Sequence, residues 1–198
     1  ALMYFNQAIC LNPENINYHY SLAYLYYQKK LYDKALFELE FIKNTKPDHE
    51  LSNVLNAMVI AKKGDLLTAK NQLETIVETN PSDDFAYSAL GKIYRELSQV
   101  DLAKQTIEKA IELNPNSLDY LSELVDVEIE QKKYEHAMDL VEKILQKNKN
   151  YIWAYIAIAK INLELKNFDK VFDAAQDIIE LDSNCAQGYY YNALSLFE

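Results

Sequence analysis

Apolar residues recur along the chain with the spacing of amphipathic α-helices. Within residues 84–117, one set occupies positions i, i+3, i+4 and i+7, namely Tyr87, Leu90, Gly91 and Tyr94. A second set follows at i, i+3, i+7 and i+10, namely Val100, Ala103, Ile107 and Ala110. This spacing differs from the two-residue alternation of a strand, so each set predicts a helix that buries one face. The tripeptide Leu97-Ser98-Gln99 between the sets predicts a tight turn, and the two helices are expected to be antiparallel.

The same pattern repeats every 34 residues. The clearest sign is the spacing of the four prolines, each 34 residues after the last: Pro13, Pro47, Pro81 and Pro115. Proline disfavours helix at the residue before it and lacks the N–H that a helix interior needs, so each one predicts a corner between helix pairs. We expect two further corners at Lys149 and Ser183. A fixed period of this length is typical of a solenoid of stacked helix pairs, with about twelve helices expected here.

The residues of one period resemble the tetratricopeptide repeat (TPR) family. That family has a large residue, then Leu-Gly or Leu-Ala, then Tyr in its first helix, and small and apolar residues followed by Pro in its second. The matching residues here are Tyr87, Leu90, Gly91, Tyr94, Ala103, Ile107, Ala110 and Pro115. The resemblance implies an all-α fold, a right-handed superhelical solenoid of helix-turn-helix repeats.

The resemblance covers residues 1–198 as a single array. The array divides into a partial repeat at 1–15, complete repeats at 16–49, 50–83, 84–117, 118–151 and 152–185, and a partial repeat at 186–198. The complete repeats are numbered 1 to 5. Some residues depart from the family pattern: His19 and Asn53 replace the large residue, Asn56 and Asn192 replace Leu, and Glu128 and Asn162 replace Tyr.

In TPR proteins the first helix of each repeat lines a concave groove, and the second covers the convex side. The resemblance therefore places apolar and aromatic residues in the groove at positions that packing does not require. They are Tyr20, Tyr24, Tyr27, Leu51, Val54, Leu55, Met58, Phe85 and Trp153, with Lys92 and Arg95 as charged candidates. Because exposed apolar patches usually mark partner sites, we predict a non-enzymatic scaffold that binds a protein, as a peptide or helix, in this groove.

Two alternatives bear on these residues. In one, the first helix of repeat 2 is rotated, which buries the stripe Leu51, Val54, Leu55 and Met58 in place of Asn53 and Asn56. In the other, the tyrosines reflect only a compositional surplus, since the chain has 16 of them. For the protein as a whole, the alternatives to a scaffold are a regulatory or assembly arm of a larger protein or enzyme and a helical-repeat RNA binder.

The net charge of −10 argues against nucleic acid as a partner. The chain has 20 basic and 30 acidic residues, and a grip on phosphate depends on clustered basic charge. No apolar stretch approaches the length of a membrane-spanning helix, and no basic-then-apolar leader is present. We expect a cytoplasmic location without membrane insertion of this segment, which a signal or anchor upstream of Ala1 would change.

The residues needed for catalysis or metal binding do not converge in the sequence. His19, His49 and His136 occupy three different repeat positions, and no His or Cys pair has the spacing of metal ligands. The three glycines are too scattered for a phosphate-binding loop, and serines such as Ser88 have no neighbouring histidine as a base. We expect no enzyme activity, no metal and no cofactor.

Four acidic residues form a stripe along the first helix of repeat 4: Asp119, Glu123, Asp126 and Glu130. One interpretation is a solvated face that is offset by Lys92 and Arg95 on the preceding repeat and Lys160 on the next. The other is a docking point for a basic segment of a partner. Catalysis by paired carboxylates is the weakest interpretation, because each acid on such a face is open to water.

The final helix is apolar on several sides and has no second helix to cover it. Its apolar residues are Tyr189, Tyr190, Tyr191, Ala193, Leu194, Leu196 and Phe197. A repeat array normally closes with a polar outer face. We therefore expect a fragment of a longer array whose end frays or self-associates.

Overall fold

The computed structural model describes residues 2–196, and within them every regular element is an α-helix. The twelve helices of this range are α1 (Leu2–Leu11), α2 (Ile16–Gln28), α3 (Tyr32–Thr45), α4 (Glu50–Lys62), α5 (Leu66–Thr79), α6 (Asp84–Glu96), α7 (Val100–Leu113), α8 (Leu118–Glu130), α9 (Tyr134–Lys147), α10 (Ile152–Glu164), α11 (Phe168–Leu181) and α12 (Ala186–Ser195). The prediction of an all-α fold is confirmed.

The first helix of each repeat begins at the first residue that the sequence period assigns to it. These first helices are α2, α4, α6, α8, α10 and α12, and we call them A helices. The second helices, called B helices, are α3, α5, α7, α9 and α11. The chain leaves the helical conformation at all four prolines and at Lys149 and Ser183, as the sequence predicts.

The turn from an A helix to its B helix has the same form in all five complete repeats. The fifteenth residue of each repeat has a positive φ: Lys30 (58°), Gly64 (102°), Ser98 (60°), Lys132 (58°) and Lys166 (59°). The next N–H then reaches a carbonyl five residues back, as in the 2.9 Å bond from Leu31 N to Tyr26 O. This is a Schellman cap, which satisfies carbonyls at the helix end and reverses the chain.

Polar side chains cap the N-terminus of several helices, where each accepts a hydrogen bond from a backbone N–H of the first turn. Asp83 Oδ1 accepts from Ala86 N at 2.9 Å at the start of α6. Asp65 Oδ1 accepts from Thr68 N at 3.0 Å at the start of α5, and this bond holds the pKa of Asp65 below its ordinary value. Such caps fix where each helix starts.

The chain divides into two compact units, Ala1–Thr106 and Ile107–Glu198, and the division falls within α7. In the N-terminal unit, α2 packs against α3, α4 packs against α5, and α3 also packs against α4. Its core contains a cluster of buried residues from α2, α3 and α4: Ala23, Ala35, Leu39, Ile42, Leu55 and Val59. The alanines at A-helix positions such as Ala23 let neighbouring helices approach closely.

The C-terminal unit is built in the same way from α8 to α12. Its α10 packs against α11, and α11 packs against α12. Ala159, Val171 and Ala174 form a buried cluster there, with Tyr191 of α12 packed on it. Helix α12 comes very close to α11 at Gly188, where an added Cβ would lie 2.7 Å from Cγ1 of Ile179.

Several apolar side chains of α12 and its C-terminal end are nevertheless exposed. The exposed fractions are 52% for Tyr189, 59% for Tyr190 and 71% for Leu196, while Phe197 lies outside the described residues. Self-association through this end stays a prediction. Among residues 2–196, no helix has both the length and the apolar composition that crossing a membrane requires.

Candidate partner-binding surface

Three tyrosines follow one side of α2 in the N-terminal unit. Tyr20, Tyr24 and Tyr27 are spaced four and three residues apart, which places them on the same helix face. Tyr24 is 40% exposed, whereas Tyr20 and Tyr27 are half-buried against the core. The rings of Tyr24 and Tyr27 stack with centroids 6.4 Å apart, and the ring of Tyr20 lies 5.8 Å from that of His49. The face is therefore a packed aromatic surface with one ring turned to solvent.

The hydroxyl groups of Tyr20 and Tyr27 stay protonated at neutral pH. Burial raises the pKa of Tyr20 and of Tyr27 above the ordinary tyrosine value. Lys62 and Glu96 form an ion pair of 2.5 Å beside Tyr27, and the hydrogen bond to Glu96 raises the pKa of Lys62. This side of α2 thus combines apolar rings with hydroxyl donors, and the ion pair between Lys62 and Glu96 lies beside it.

Helix α4 contributes fewer of the predicted contacts than its sequence suggests. Leu51 is 46% exposed and Met58 is half-buried, so both are open to a partner. Val54 and Leu55 have no exposed surface, and Leu55 belongs to the core cluster. Their assignment to a binding surface is wrong, because α4 packs against α2, α3, α5 and α6 and these neighbours cover both side chains. The rotated-helix alternative holds for these two residues and fails for the exposed Leu51.

Helix α6 adds Phe85, which is half-buried, and the two predicted charged residues, Lys92 and Arg95. Lys92 and Arg95 are also half-buried, and both are already engaged with other groups of the protein. Lys92 and Arg95 are therefore weaker candidates for contacts with a partner than the tyrosines are. We call Tyr20, Tyr24, Tyr27, Leu51, Met58 and Phe85 the A-helix surface.

Trp153 belongs to the C-terminal unit, where it lies in the first turn of α10. Its side chain is half-buried, and its ring lies 6.4 Å from that of Tyr151. This residue stays a separate candidate, and the A-helix surface is defined without it.

The acidic stripe on α8 is not a uniformly solvated face. Asp119 accepts a hydrogen bond of 3.1 Å from the Tyr151 hydroxyl, and Asp126 lies 3.8 Å from Lys160 Nζ. Glu123 is buried, with 7% of its surface exposed, and it has interaction partners of its own. The expectation that each acid is open to water is therefore wrong for Glu123. The predicted offset by Lys160 is present at Asp126.

Two histidine–carboxylate pairs escaped the sequence analysis. His19 is buried, its Nδ1 lies 2.6 Å from Glu38 Oε2, and its Nε2 donates to Pro13 O at 2.9 Å. The His19 ring also stacks on Phe41 with centroids 3.9 Å apart. The ring thus fills the place of the large apolar residue that the family pattern has there.

The second pair joins His136 of α9 to Glu128 of α8. Glu128 has no exposed surface, and its Oε1 lies 3.1 Å from His136 Nδ1. Both pairs were detectable in part, because His19 and Glu128 stand where the repeat pattern has apolar or aromatic residues. Their partners were not, since nothing in the sequence marks them.

Among the described residues, no group of three or more His, Cys, Asp or Glu side chains could hold a metal ion. Cys10 is exposed and Cys185 is half-buried, and both are free thiols. The absence of an enzyme activity and of a cofactor stays a prediction.

The sequence matches a family model described as Psidin, N-terminal TPR repeats region, over residues 23–180. A comparison with curated protein sequences gave no match.

Solved structures show a similar fold. The APC/C hetero-tetramer Cut9-Hcn1 contains a chain with a TM-score of 0.81 and 16% identity, and the match covers 98% of this chain and 39% of that one. TTC0263, a thermophilic TPR protein of Thermus thermophilus, has a TM-score of 0.80 and 17% identity over 92% of this chain and 100% of its own. YrrB, described as a TPR protein with an unusual peptide-binding site, has a TM-score of 0.64 and 16% identity over 98% of this chain and 100% of its own. At these identities the likeness shows the fold alone.

Proposed function

The chain belongs to the family of Psidin N-terminal TPR repeat regions, and from this premise we propose that it is a non-enzymatic scaffold that binds a segment of a partner protein. The TPR repeat fold typically serves protein–protein interaction. The partner segment is extended or helical, and it lies on the A-helix surface of the N-terminal unit.

One observation carries the proposal. The A-helix surface presents two large side chains, Tyr24 and Leu51, to solvent, beside tyrosine rings that are partly packed on the core. Tyr24 and Leu51 are 40% and 46% exposed. Buried positions of the same two helices hold smaller residues such as Ala23 and Ala57, which have no exposed surface. Large exposed side chains on neighbouring helices form the kind of surface that binds partners, and tyrosine is enriched at such sites.

The chemistry of the surface suits a short segment bound with moderate affinity. Burying four side chains of this size contributes roughly 6–12 kcal/mol. Association costs about 4–15 kcal/mol in lost freedom, so the net gain is at most about 8 kcal/mol, which corresponds to micromolar affinity as the upper limit for these contacts. The thioether of Met58 can adapt to differently shaped side chains, which favours more than one ligand.

Similarity to YrrB supports this proposal, because that protein is described as having a peptide-binding site. A second candidate function is an arm of a larger assembly. It is favoured by the similarity to a chain of the Cut9-Hcn1 hetero-tetramer, of whose length this chain spans 39%. A role in RNA binding is not proposed, since the net charge is −10.

The proposal is tested by selecting peptides from a displayed random library on the purified chain. The selected peptides are then measured against a double variant, Tyr24→Ala with Met58→Ala. The matched control is Phe37→Ala, because Phe37 is an aromatic residue of the same compact unit that is 74% exposed on the B helix α3.

We expect the double variant to lose at least tenfold in affinity with unchanged helicity, while Phe37→Ala binds as the parent does. Equal binding by the parent and the double variant would overturn the assignment to the A-helix surface. A loss confined to Phe37→Ala would move the site to the B helices.

A further inference from the structure

A cavity of about 270 Å³ lies among α3, α4 and α5 in the N-terminal unit. Its polar lining consists of Lys43, Ser52, Asn53, Asn56, Gln72 and Thr75. Asn53 is two residues after Leu51, and Asn56 is two residues before Met58. Because a helix turns about 100° per residue, each Asn lies about 200° around α4 from that member of the A-helix surface. The cavity is thus a separate site from the one proposed above.

The cavity exists because two amides stand where the repeat pattern has larger apolar side chains. In the other four complete repeats, the position of Asn56 holds Leu22, Leu90, Leu124 and Ile158. Leu22, Leu90 and Leu124 are buried, and Ile158 is half-buried. In repeat 2 the shorter, polar side chains of Asn53 and Asn56 line the open cavity.

The lining offers hydrogen-bonding groups of both kinds. Asn53 Nδ2 donates to Pro47 O at 3.0 Å, and Asn56 Nδ2 lies 3.4 Å from Gln72 Oε1, which is a long bond. Within the part of the chain that the structure describes, these bonds leave the two Asn Oδ1 atoms as acceptors and Gln72 Nε2 and Lys43 Nζ as donors. A bound group must therefore both donate and accept.

A primary carboxamide meets this requirement. Its N–H₂ can donate to the Oδ1 atoms of Asn53 and Asn56, and its oxygen can accept from Gln72 or Lys43. A carboxylate could only accept and would leave the Asn oxygens facing an anion, while an ammonium group would be repelled by Lys43. The apolar walls, Leu39 and Ile76, suit a short aliphatic stem.

A volume of about 270 Å³ accommodates one side chain or a comparably small molecule. We propose that this cavity is a binding site for a primary carboxamide on a short aliphatic stem, as in glutamine or asparagine, either free or within a peptide.

The test uses N-acetylglutamine N-methylamide, free L-glutamine and N-acetylglutamate N-methylamide as probes. Side-chain amide resonances of Asn53, Asn56 and Gln72 are followed in ¹⁵N-labelled protein. The blocking variant is Asn56→Leu, which restores the residue type of the other repeats and fills the cavity. Its matched control is Asn71→Leu, the same change at an exposed position of α5 outside the lining.

We expect saturable shifts of these resonances with the blocked glutamine, at least tenfold weaker binding of the blocked glutamate, and loss of binding in Asn56→Leu but not in Asn71→Leu. Gln72→Met provides a second variant if Asn56→Leu loses helicity, and it too is expected to lose binding. A response to free glutamine alone would identify a small metabolite, whereas a response to the blocked form alone would identify a peptide side chain. No saturable shift with either glutamine probe would mean a cavity filled by water only and would overturn the proposal. Equal binding of glutamate and glutamine, or retained binding in both variants, would also overturn it.

Discussion

The turn residue with positive φ affects the stability of its repeat, and Lys166→Gly tests this directly. Lys166 has φ of 59° and is exposed, and its N–H donates to Leu163 O at 3.0 Å. The left-handed conformation costs a residue with a Cβ about 1–2 kcal/mol, and glycine avoids this cost. Glycine also adds conformational freedom to the unfolded chain, which costs about 0.4–1 kcal/mol. The net expectation is a gain of about 0.5–1 kcal/mol in the free energy of unfolding.

The converse change is available in repeat 2, where glycine is native. An added Cβ at Gly64 meets nothing within 4 Å, so Gly64→Ala introduces no clash and reports only the backbone conformation at φ of 102°. We expect this variant to lose about 1 kcal/mol for the same reason that Lys166→Gly gains.

Urea unfolding followed by circular dichroism at about 222 nm measures both effects. With a slope of about 2 kcal/mol per molar urea, Lys166→Gly should raise the midpoint by about 0.2–0.5 M. Lys166→Gln is the control, because it removes the same charge from the helix end without removing the Cβ. The reasoning is refuted if Lys166→Gly is no more stable than Lys166→Gln, or if Gly64→Ala raises the midpoint.

Three further predictions concern packing, ionisation and metals. Gly188→Ala should destabilise the docking of α12 by about 1–3 kcal/mol, since the new methyl group would lie 2.7 Å from Cγ1 of Ile179; faster amide exchange in α12 would show this. Burial and a 2.7 Å hydrogen bond to Glu74 raise the pKa of Tyr94 to about 12, so a difference titration against Tyr94→Phe should show one tyrosine that ionises near that pH. Because this pKa lies above the unfolded value of 10.0, the contribution of Tyr94 to stability should be complete below pH 10 and disappear as pH rises through 12. EDTA should leave the unfolding midpoint unchanged, and a fall of many degrees would indicate a structural metal.

The helical repeat could be predicted because its evidence is local and is repeated five times. A single 34-residue segment is ambiguous, but prolines, turns and apolar spacing in one phase over the whole chain leave little freedom in where helices begin. The A helices accordingly start at residues 16, 50, 84, 118, 152 and 186, which are the first residues of the repeats read from the sequence.

The binding surface was predicted less well, and Val54 and Leu55 show why. An apolar residue on an A helix can face either solvent or a neighbouring helix, and periodicity within one helix does not distinguish the two. The burial of both residues depends on the helices on either side of α4. By contrast, Tyr24 on α2 is exposed.

Polar residues at core positions were visible in the sequence, but their consequences were not. His19 is satisfied by Glu38, 19 residues away, whereas Asn53 and Asn56 line an open cavity. Both outcomes begin from a polar residue at a position that is apolar in the repeat pattern. Only the three-dimensional arrangement of neighbouring side chains decides between a satisfied pair and an open polar site.

The central claim is that a partner segment binds on the A-helix surface, and the methionine methyl groups test it most directly. The chain has three methionines: Met3 on α1, Met58 on α4 and Met138 on α9. In protein labelled with ¹³C at the methionine methyl groups, adding a library-selected peptide should shift the Met58 resonance in a saturable way and leave those of Met3 and Met138 unchanged. Saturable shifts of Met3 or Met138 with an unchanged Met58 resonance would contradict the account.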